Sequence, residues 1–355
     1  MKTTAIFTYI FLLVILARAQ PPAGYYDKAV GKQGIELQQA LHDIIKNHTS
    51  ITYNELWTAF QETDKKANGK VWDIYSDVPG GTAPYQYTFI TNQCGNYSVE
   101  GNCYNREHTF CQSWFKDGSP VYTDLFHLYP TDGYVNGKRN NNPFGEVGSV
   151  SWTSKNDSQL GDCASPGYSG TVFEPIDEYK GDIARGFFYI ATRYYTEDAG
   201  WPGSEMVTGS QLKSWSRDLL MKWAQKDPVS QKEIDLNNKI YAIQHNRNPF
   251  IDHPEYITLL WGINTGISDN MSQTTLQVYP NPAGKNCSIT LPQGISQQNY
   301  TLSVYTSTGA SISAPASLSG DKISLDLEDF PKGFYLIRLS LDNYKTTYNA
   351  RIIKN

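Results

Sequence analysis

Two hydrophobic periodicities that do not belong to one core divide this chain. In the first two thirds, apolar residues recur at helical spacing. Leu37, Leu41, Ile44 and Ile45 form one stripe, and Ile183, Phe187, Ile190 and Tyr194 a second, with Asp182 where an acid suits the helix dipole. Leu212, Trp215, Leu219 and Trp223 form a third, which Asp227-Pro228 ends. Ser230-Gln231-Lys232-Glu233 reads as a capping box opening a further helix. These stripes are core faces. Between about 70 and 175, Gly, Asn, Pro and Tyr are dense and periodic runs are short, which predicts irregular strands and long loops framed by helices. From Leu276 the pattern becomes alternating, as in Tyr300–Tyr305 and Phe334–Leu339. Turn signals at Ser307-Thr308-Gly309 and Pro331-Lys332-Gly333 separate these runs, and that predicts a small β-sandwich.

The first 19 residues read as a signal peptide: Lys2, an apolar stretch from Ala5 to Leu16, then Ala17-Arg18-Ala19 before Gln20. No later segment approaches the length of a membrane span, so a soluble, exported monomer without stable membrane insertion is expected. Export permits disulfides. Of the five cysteines, Cys94, Cys103, Cys111 and Cys163 precede the sandwich and Cys287 lies within it. The first four are expected to form two bridges rather than a metal site, with three pairings open and Cys94 and Cys103 near enough for a short loop. Residues 20–275 carry 21 basic and 30 acidic groups. Nucleic-acid binding sits uneasily on such a body and demands a local basic strip.

The chemistry concentrates at Glu107-His108 and, further along, Val135-Asn136-Gly137-Lys138-Arg139-Asn140. An imidazole can take a proton from water, while a carboxylate and an amide oxygen can hold a hard divalent cation. Lys138-Arg139 lies where a phosphate would be bound. Taken singly, each element has an ordinary reading: His108 a surface histidine, Asn136-Gly137 a hairpin turn, His127 a buried structural histidine.

Together they point further. The stretches 105–115 (NREHTFCQSWF) and 124–140 (DLFHLYPTDGYVNGKRN), with 180–189 (KGDIARGFFY) and 246–255 (NRNPFIDHPE), resemble the secreted and periplasmic endonuclease I family of ββα-metal nucleases. The resemblance covers most of 30–265. It implies an α+β fold, a ββα-metal core embedded in helices, ahead of the C-terminal β-sandwich. It implies His108 on a strand as general base, Glu107 and Asn136 as metal ligands, and Asn136 at a helix start instead of a hairpin. The cofactor would be Mg²⁺, with Mn²⁺ or Ca²⁺ as substitutes. The products would carry 5′-phosphate and 3′-hydroxyl ends.

Three departures stand out against that family. The periplasmic branch has a phosphate-contacting arginine between the histidine and the asparagine, whereas 109–135 holds no arginine and only Lys116 as a cation. Arg185 or Arg139 is expected to replace it, Arg185 being favoured for its place in the matched 180–189 stretch, although a buried arginine paired to an acid is the ordinary reading of that residue. Cys111 stands where proline is common, and Phe126 where histidine is usual. Arg106, Lys138, Arg139 and Arg247 are the expected substrate contacts. The tail, with Tyr279-Pro280-Asn281-Pro282 and a Lys354-Asn355 end, resembles the type A sorting domain of type IX secretion cargo. The expected organisation is therefore a leader (1–19), a nuclease domain (20–270) and a sorting domain (276–355).

The expectation is an exported, metal-dependent, sequence-nonspecific endonuclease for DNA and RNA, released or attached at the cell surface. The rival reading is a secreted carbohydrate-binding or adhesion protein, suited by the 25 Tyr and 8 Trp and by the acidic charge. A phosphodiesterase for small substrates is a third.

Overall fold

The computed structural model describes residues 21–116, 118–262, 276–291, 300–306, 311–341 and 347–355. The expected signal peptide lies outside them. The chain divides into two compact units, Met1–Ile263 and Asn264–Asn355.

In the first unit the helical stripes become helices. Leu37, Leu41 and Ile45 are fully buried along α1 (Gly34–Ile45), and α2 (Leu56–Thr63) buries Leu56 and Phe60. The later helices are α4 (Lys180–Arg193), α5 (Ser214–Lys226), α6 (Gln231–Gln244), α7 (Pro249–Asp252) and α8 (Glu255–Trp261). All of α4 is buried, and α1, α5 and α7 pack against it. The capping box forms as expected: the Ser230 hydroxyl accepts from the Glu233 amide, and the Glu233 carboxylate accepts from the Ser230 amide. The third stripe is shorter than its apolar pattern. Leu212 falls in the two-residue pairing of β6 (Val207–Thr208) with β7 (Gln211–Leu212), and the helix begins at Ser214.

The irregular middle holds the motif that places the site. Strands β1 (Tyr104–His108) and β2 (Leu128–Asp132) pair antiparallel, with His108 opposite Leu128, and α3 (Gly133–Arg139) follows at once. Asp132 drives that change from strand to helix. Its Oδ1 accepts from the Val135 amide at 2.8 Å, satisfying an otherwise unpaired donor of the first turn, and its Oδ2 accepts from the Gly101 amide and the Tyr87 hydroxyl. Asn136-Gly137 is therefore helical, and the hairpin reading fails. A three-stranded sheet of β3 (Val147–Thr153), β4 (Gln159–Cys163) and β5 (Thr171–Glu174) comes next.

One bridge forms, Cys94–Cys103, with Cα atoms 5.8 Å apart. The expected second bridge does not. Cys111 is buried behind β1, where burial pushes its thiol up to about 12, and Cys163 ends β4 against Ser165.

The second unit is the expected sandwich. One sheet runs β11 (Ser311–Ile312), β10 (Tyr300–Thr306), β14 (Gly333–Leu341), β15 (Thr347–Lys354). The other runs β12 (Ala316–Ser319), β13 (Lys322–Asp326), β9 (Asn286–Thr290), β8 (Gln277–Tyr279). Both feed one core, which includes Ile289, Ile323, Leu325, Ile337 and Ile352. Along β13 the buried Ile323 and Leu325 alternate with exposed Lys322, Ser324 and Asp326, as a half-buried strand requires.

The bridge closes a short loop, so its removal should cost roughly 2–3 kcal/mol of stability. Cys103→Ser is expected to lower the thermal midpoint of the nuclease unit and leave that of the sandwich unchanged, as differential scanning calorimetry would record.

Candidate active site

Alternation along β1 sorts its side chains onto two faces. Asn105 and Glu107 turn toward α3; Arg106 and His108 turn toward Tyr53 and Tyr122. The Asn105 Oδ1 accepts from Asn136 Nδ2 at 2.9 Å, which brings the ligand candidate of α3 onto the same side as Glu107. Glu107, His108, Asn136 and Arg106 all line one cleft of about 270 Å³. A larger hollow of about 620 Å³, lined by Met221 and Ile257, contains none of them.

Glu107 is nearly buried. Its Oε1 accepts from Tyr75 Oη at 2.9 Å and from Arg139 Nη1 at 3.0 Å. Burial raises its pKa, while the Arg139 charge and these hydrogen bonds pull it back. Both contacts fall on Oε1.

His108 is clamped by rings. Tyr122 stacks on it with centroids 5.4 Å apart, Tyr53 lies nearly parallel at 6.2 Å, and Phe115 and His127 pack at 5.9 Å and 5.4 Å. Its Nε2 lies 3.0 Å from the Tyr122 carbonyl oxygen. A carbonyl only accepts, so the proton sits on Nε2 and Nδ1 keeps its lone pair. Burial, with the neighbouring His127 second, lowers its pKa to about 3, so the ring is neutral across the physiological range. His127 itself is fully buried, with Nε2 2.7 Å from the Val121 carbonyl, in keeping with its structural reading.

The five expected cations separate sharply. Arg106 stays at the cleft: its guanidinium lies 3.5 Å from the Tyr53 ring centroid and 4.4 Å from that of Trp57, and Nη1 donates to the Tyr53 carbonyl. Lys138 lies outside the cleft, on the face of α3 beside Tyr134 and Trp152. The other three are turned inward. Arg139 is fully buried; besides Glu107 it donates to the carbonyls of His108 at 2.9 Å and Thr109 at 2.7 Å. Arg139 borders the cleft, but Nη1 and Nη2 are spent on protein acceptors that bind the motif together, which argues against the phosphate contact expected from Lys138-Arg139. Arg185 is buried on α4, paired with Glu233 through Nε and Nη2, with Nη1 donating to the Asp227 carbonyl. The ordinary reading of Arg185 thus prevails over the catalytic one. Arg247 is locked to Asp252 by two hydrogen bonds of 2.6 and 2.7 Å, and its expected substrate contact gives way to a brace.

The residues missed from sequence are Asn105, Tyr75, Tyr53, Tyr122 and Tyr97. Asn105 alone carried a usable signal, since its two-residue spacing from Glu107 puts both on one strand face. The tyrosines come from distant loops and leave no mark of their role in the sequence.

The endonuclease I family profile matches residues 33–255, and that of the secretion system C-terminal sorting domain matches residues 277–355. The chain belongs to the endonuclease I family. It is a nuclease, a phosphodiester hydrolase acting on nucleic acid, followed by a sorting domain that secretion machinery handles, and it is secreted or attached at the cell surface. Its relatives include the extracellular ribonuclease of Bacillus subtilis (strain 168), 35% identical over 70% of this chain and 83% of that protein. The extracellular ribonuclease of Bacillus amyloliquefaciens is 36% identical over 67% and 78%. A periplasmic deoxyribonuclease of Aeromonas hydrophila is 29% identical over 36% of this chain and 47% of its own length.

Removing one partner of a buried ion pair strands the other charge, at a cost of about 3–5 kcal/mol. Arg185→Ala is therefore expected to lower the denaturation midpoint severely, while the folded fraction keeps near wild-type kcat. A large kcat loss at full folded occupancy would return Arg185 to the active site.

Proposed function

We propose that this chain is a divalent-metal-dependent, sequence-nonspecific endonuclease that cuts RNA and DNA to 5′-phosphate and 3′-hydroxyl ends. The observation that carries the reading is His108: an imidazole fixed by rings, its Nε2–H engaged by a carbonyl, its Nδ1 free of a proton, in the cleft shared by Glu107 and Asn136. RNA stands beside DNA because both Bacillus ribonucleases align over two thirds or more of this chain. Lack of base selection accords with backbone contacts sufficing to position a phosphodiester.

The donor set suits a hard cation. Glu107 offers a carboxylate, and the Asn136 amide, its nitrogen engaged by Asn105, offers an oxygen. Among the described residues no three His, Cys, Asp or Glu side chains group as a metal site, so water would complete the coordination shell. Mg²⁺, or Mn²⁺ or Ca²⁺ in its place, would neutralise charge on the scissile phosphate and the leaving 3′ oxygen.

The protein's own groups do the rest. His108 Nδ1 takes a proton from a water in line with the P–O3′ bond; the water oxygen bonds to phosphorus as that bond breaks, and the leaving 3′ oxygen takes a proton from a second water to become the 3′-hydroxyl. The carbonyl of Tyr122 holds the ring in the productive tautomer and stabilises the imidazolium that forms. Arg106, stacked on Tyr53, meets the phosphate in place of the arginine absent from 109–135. Monomeric action, and type IX machinery as the export route, complete the proposal.

His108→Ala is expected to abolish cleavage of plasmid and of a structured RNA, with binding nearly intact by filter retention. Wild-type turnover in that variant would remove the imidazole from the mechanism, and cleavage undiminished by a chelator would remove the cation. Asn105→Ala should cut kcat roughly 10–100-fold through the freed Asn136 amide, as a lost supporting partner does; unchanged kcat at saturating metal would show that Asn105 does not position it.

A further inference from the structure

Two neighbouring stripes, each of residues four apart, run along α3, and the first borders the cleft through Gly137. Gly133 and Gly137 form the first, and the Tyr97 ring is seated on it: a Cβ at either glycine would overlap that ring. Tyr97 belongs to the loop closed by Cys94–Cys103, is 40% exposed, and also lines the cleft. Tyr134 and Lys138 form the second stripe. Tyr134 meets Tyr97 edge-on with centroids 6.4 Å apart, and meets Trp152 on β3 at 6.4 Å. Lys138 Nζ lies 5.3 Å from the Tyr134 centroid and 5.8 Å from that of Trp152. Among the described residues the lysines paired with a carboxylate are Lys46, Lys66, Lys180, Lys213, Lys222, Lys232 and Lys285, and Lys138 is not one of them. Three partly exposed rings thus run from the cleft wall across the outer face of α3, with one unpaired cation alongside.

Resting on the nuclease reading above, we propose that Tyr97, Tyr134 and Trp152 form a stacking track for unpaired bases flanking the scissile bond, with Lys138 on the backbone phosphate. Aromatic faces beside a cation are what a single strand binds without base selection. Bases in a duplex are stacked on one another and cannot lie on these rings. The track starts at the cleft through Tyr97, so a strand cut at His108 continues onto it. It therefore favours single-stranded substrate, RNA or DNA, over duplex.

Trp152 tests this, because it is remote from the cleft. In a His108→Ala background, binding of a fluorescein-labelled 12-nucleotide single strand is followed by anisotropy for Trp152→Leu and Trp152→Phe. Loss of one stacked base corresponds to roughly tenfold in Kd. The Leu variant is expected to lose that much, the Phe variant to keep most of the affinity, and binding of a blunt duplex of equal length to change less than twofold. In the active enzyme, Trp152→Leu should raise KM on the single strand at unchanged kcat. Equal losses on strand and duplex, or no loss in the Leu variant, would overturn the track. Cleavage surviving His108→Ala would instead overturn the nuclease mechanism, and the anisotropy would still decide the track.

Discussion

The Arg139 guanidinium holds the nuclease motif together. A helix of seven residues has little stability of its own. Arg139, in its last turn, reaches across to β1 and meets Glu107 and the carbonyls of His108 and Thr109, three acceptors from consecutive residues. Packing of the same guanidinium on Phe144, 4.3 Å from the ring centroid, removes it from water. The strand that carries His108 and the helix that carries Asn136 are thereby fixed at one distance. At the other end of α3, the Asp132 cap sets its direction.

This has an electrostatic side. The body is acidic, and Arg139, Arg185 and Arg247 spend their charge on buried partners, while the buried Arg193 pairs with the partly exposed Glu197. Among the described residues the cations left near the cleft include Arg106, Lys138 and Lys116, the last in a hollow that shares Gln112 and Asn141 with it. On the proposed stacking track, affinity for a polyanion would lean on ring stacking more than on counterion release.

Much of the fold was legible because burial imposes periodicity. The stripes of α1 and α4, that of α5 apart from Leu212, the capping box of α6 and the alternation along β13 survive in the structure, since each depends on residues near one another in sequence. Charged residues were less legible. Arg106, Arg139, Arg185 and Arg247 look alike in a string of letters, and only tertiary burial separates the partly exposed Arg106 from the three that are buried on protein acceptors. The same limit hid Tyr53, Tyr75 and Tyr122, which arrive from separate loops. The Asn136-Gly137 turn was ambiguous for a local reason: the dipeptide suits a hairpin, and the aspartate cap four residues earlier decides for a helix. Cysteine count misled, because Cys111 and Cys163 have positions in the fold that give neither a sulfur to meet.

The buried helix α4 carries Asp182, Arg185 and Arg193 in an interior that tolerates charge only when matched. Their counterparts sit on different neighbours: Glu233 on α6, Lys232 beside it, His48 beyond α1, Glu197 past the end of α4 itself. Pulling any one wall away would strand charges that the remaining walls cannot answer. The nuclease unit is thus keyed from its middle outward, and its parts stand or fall jointly.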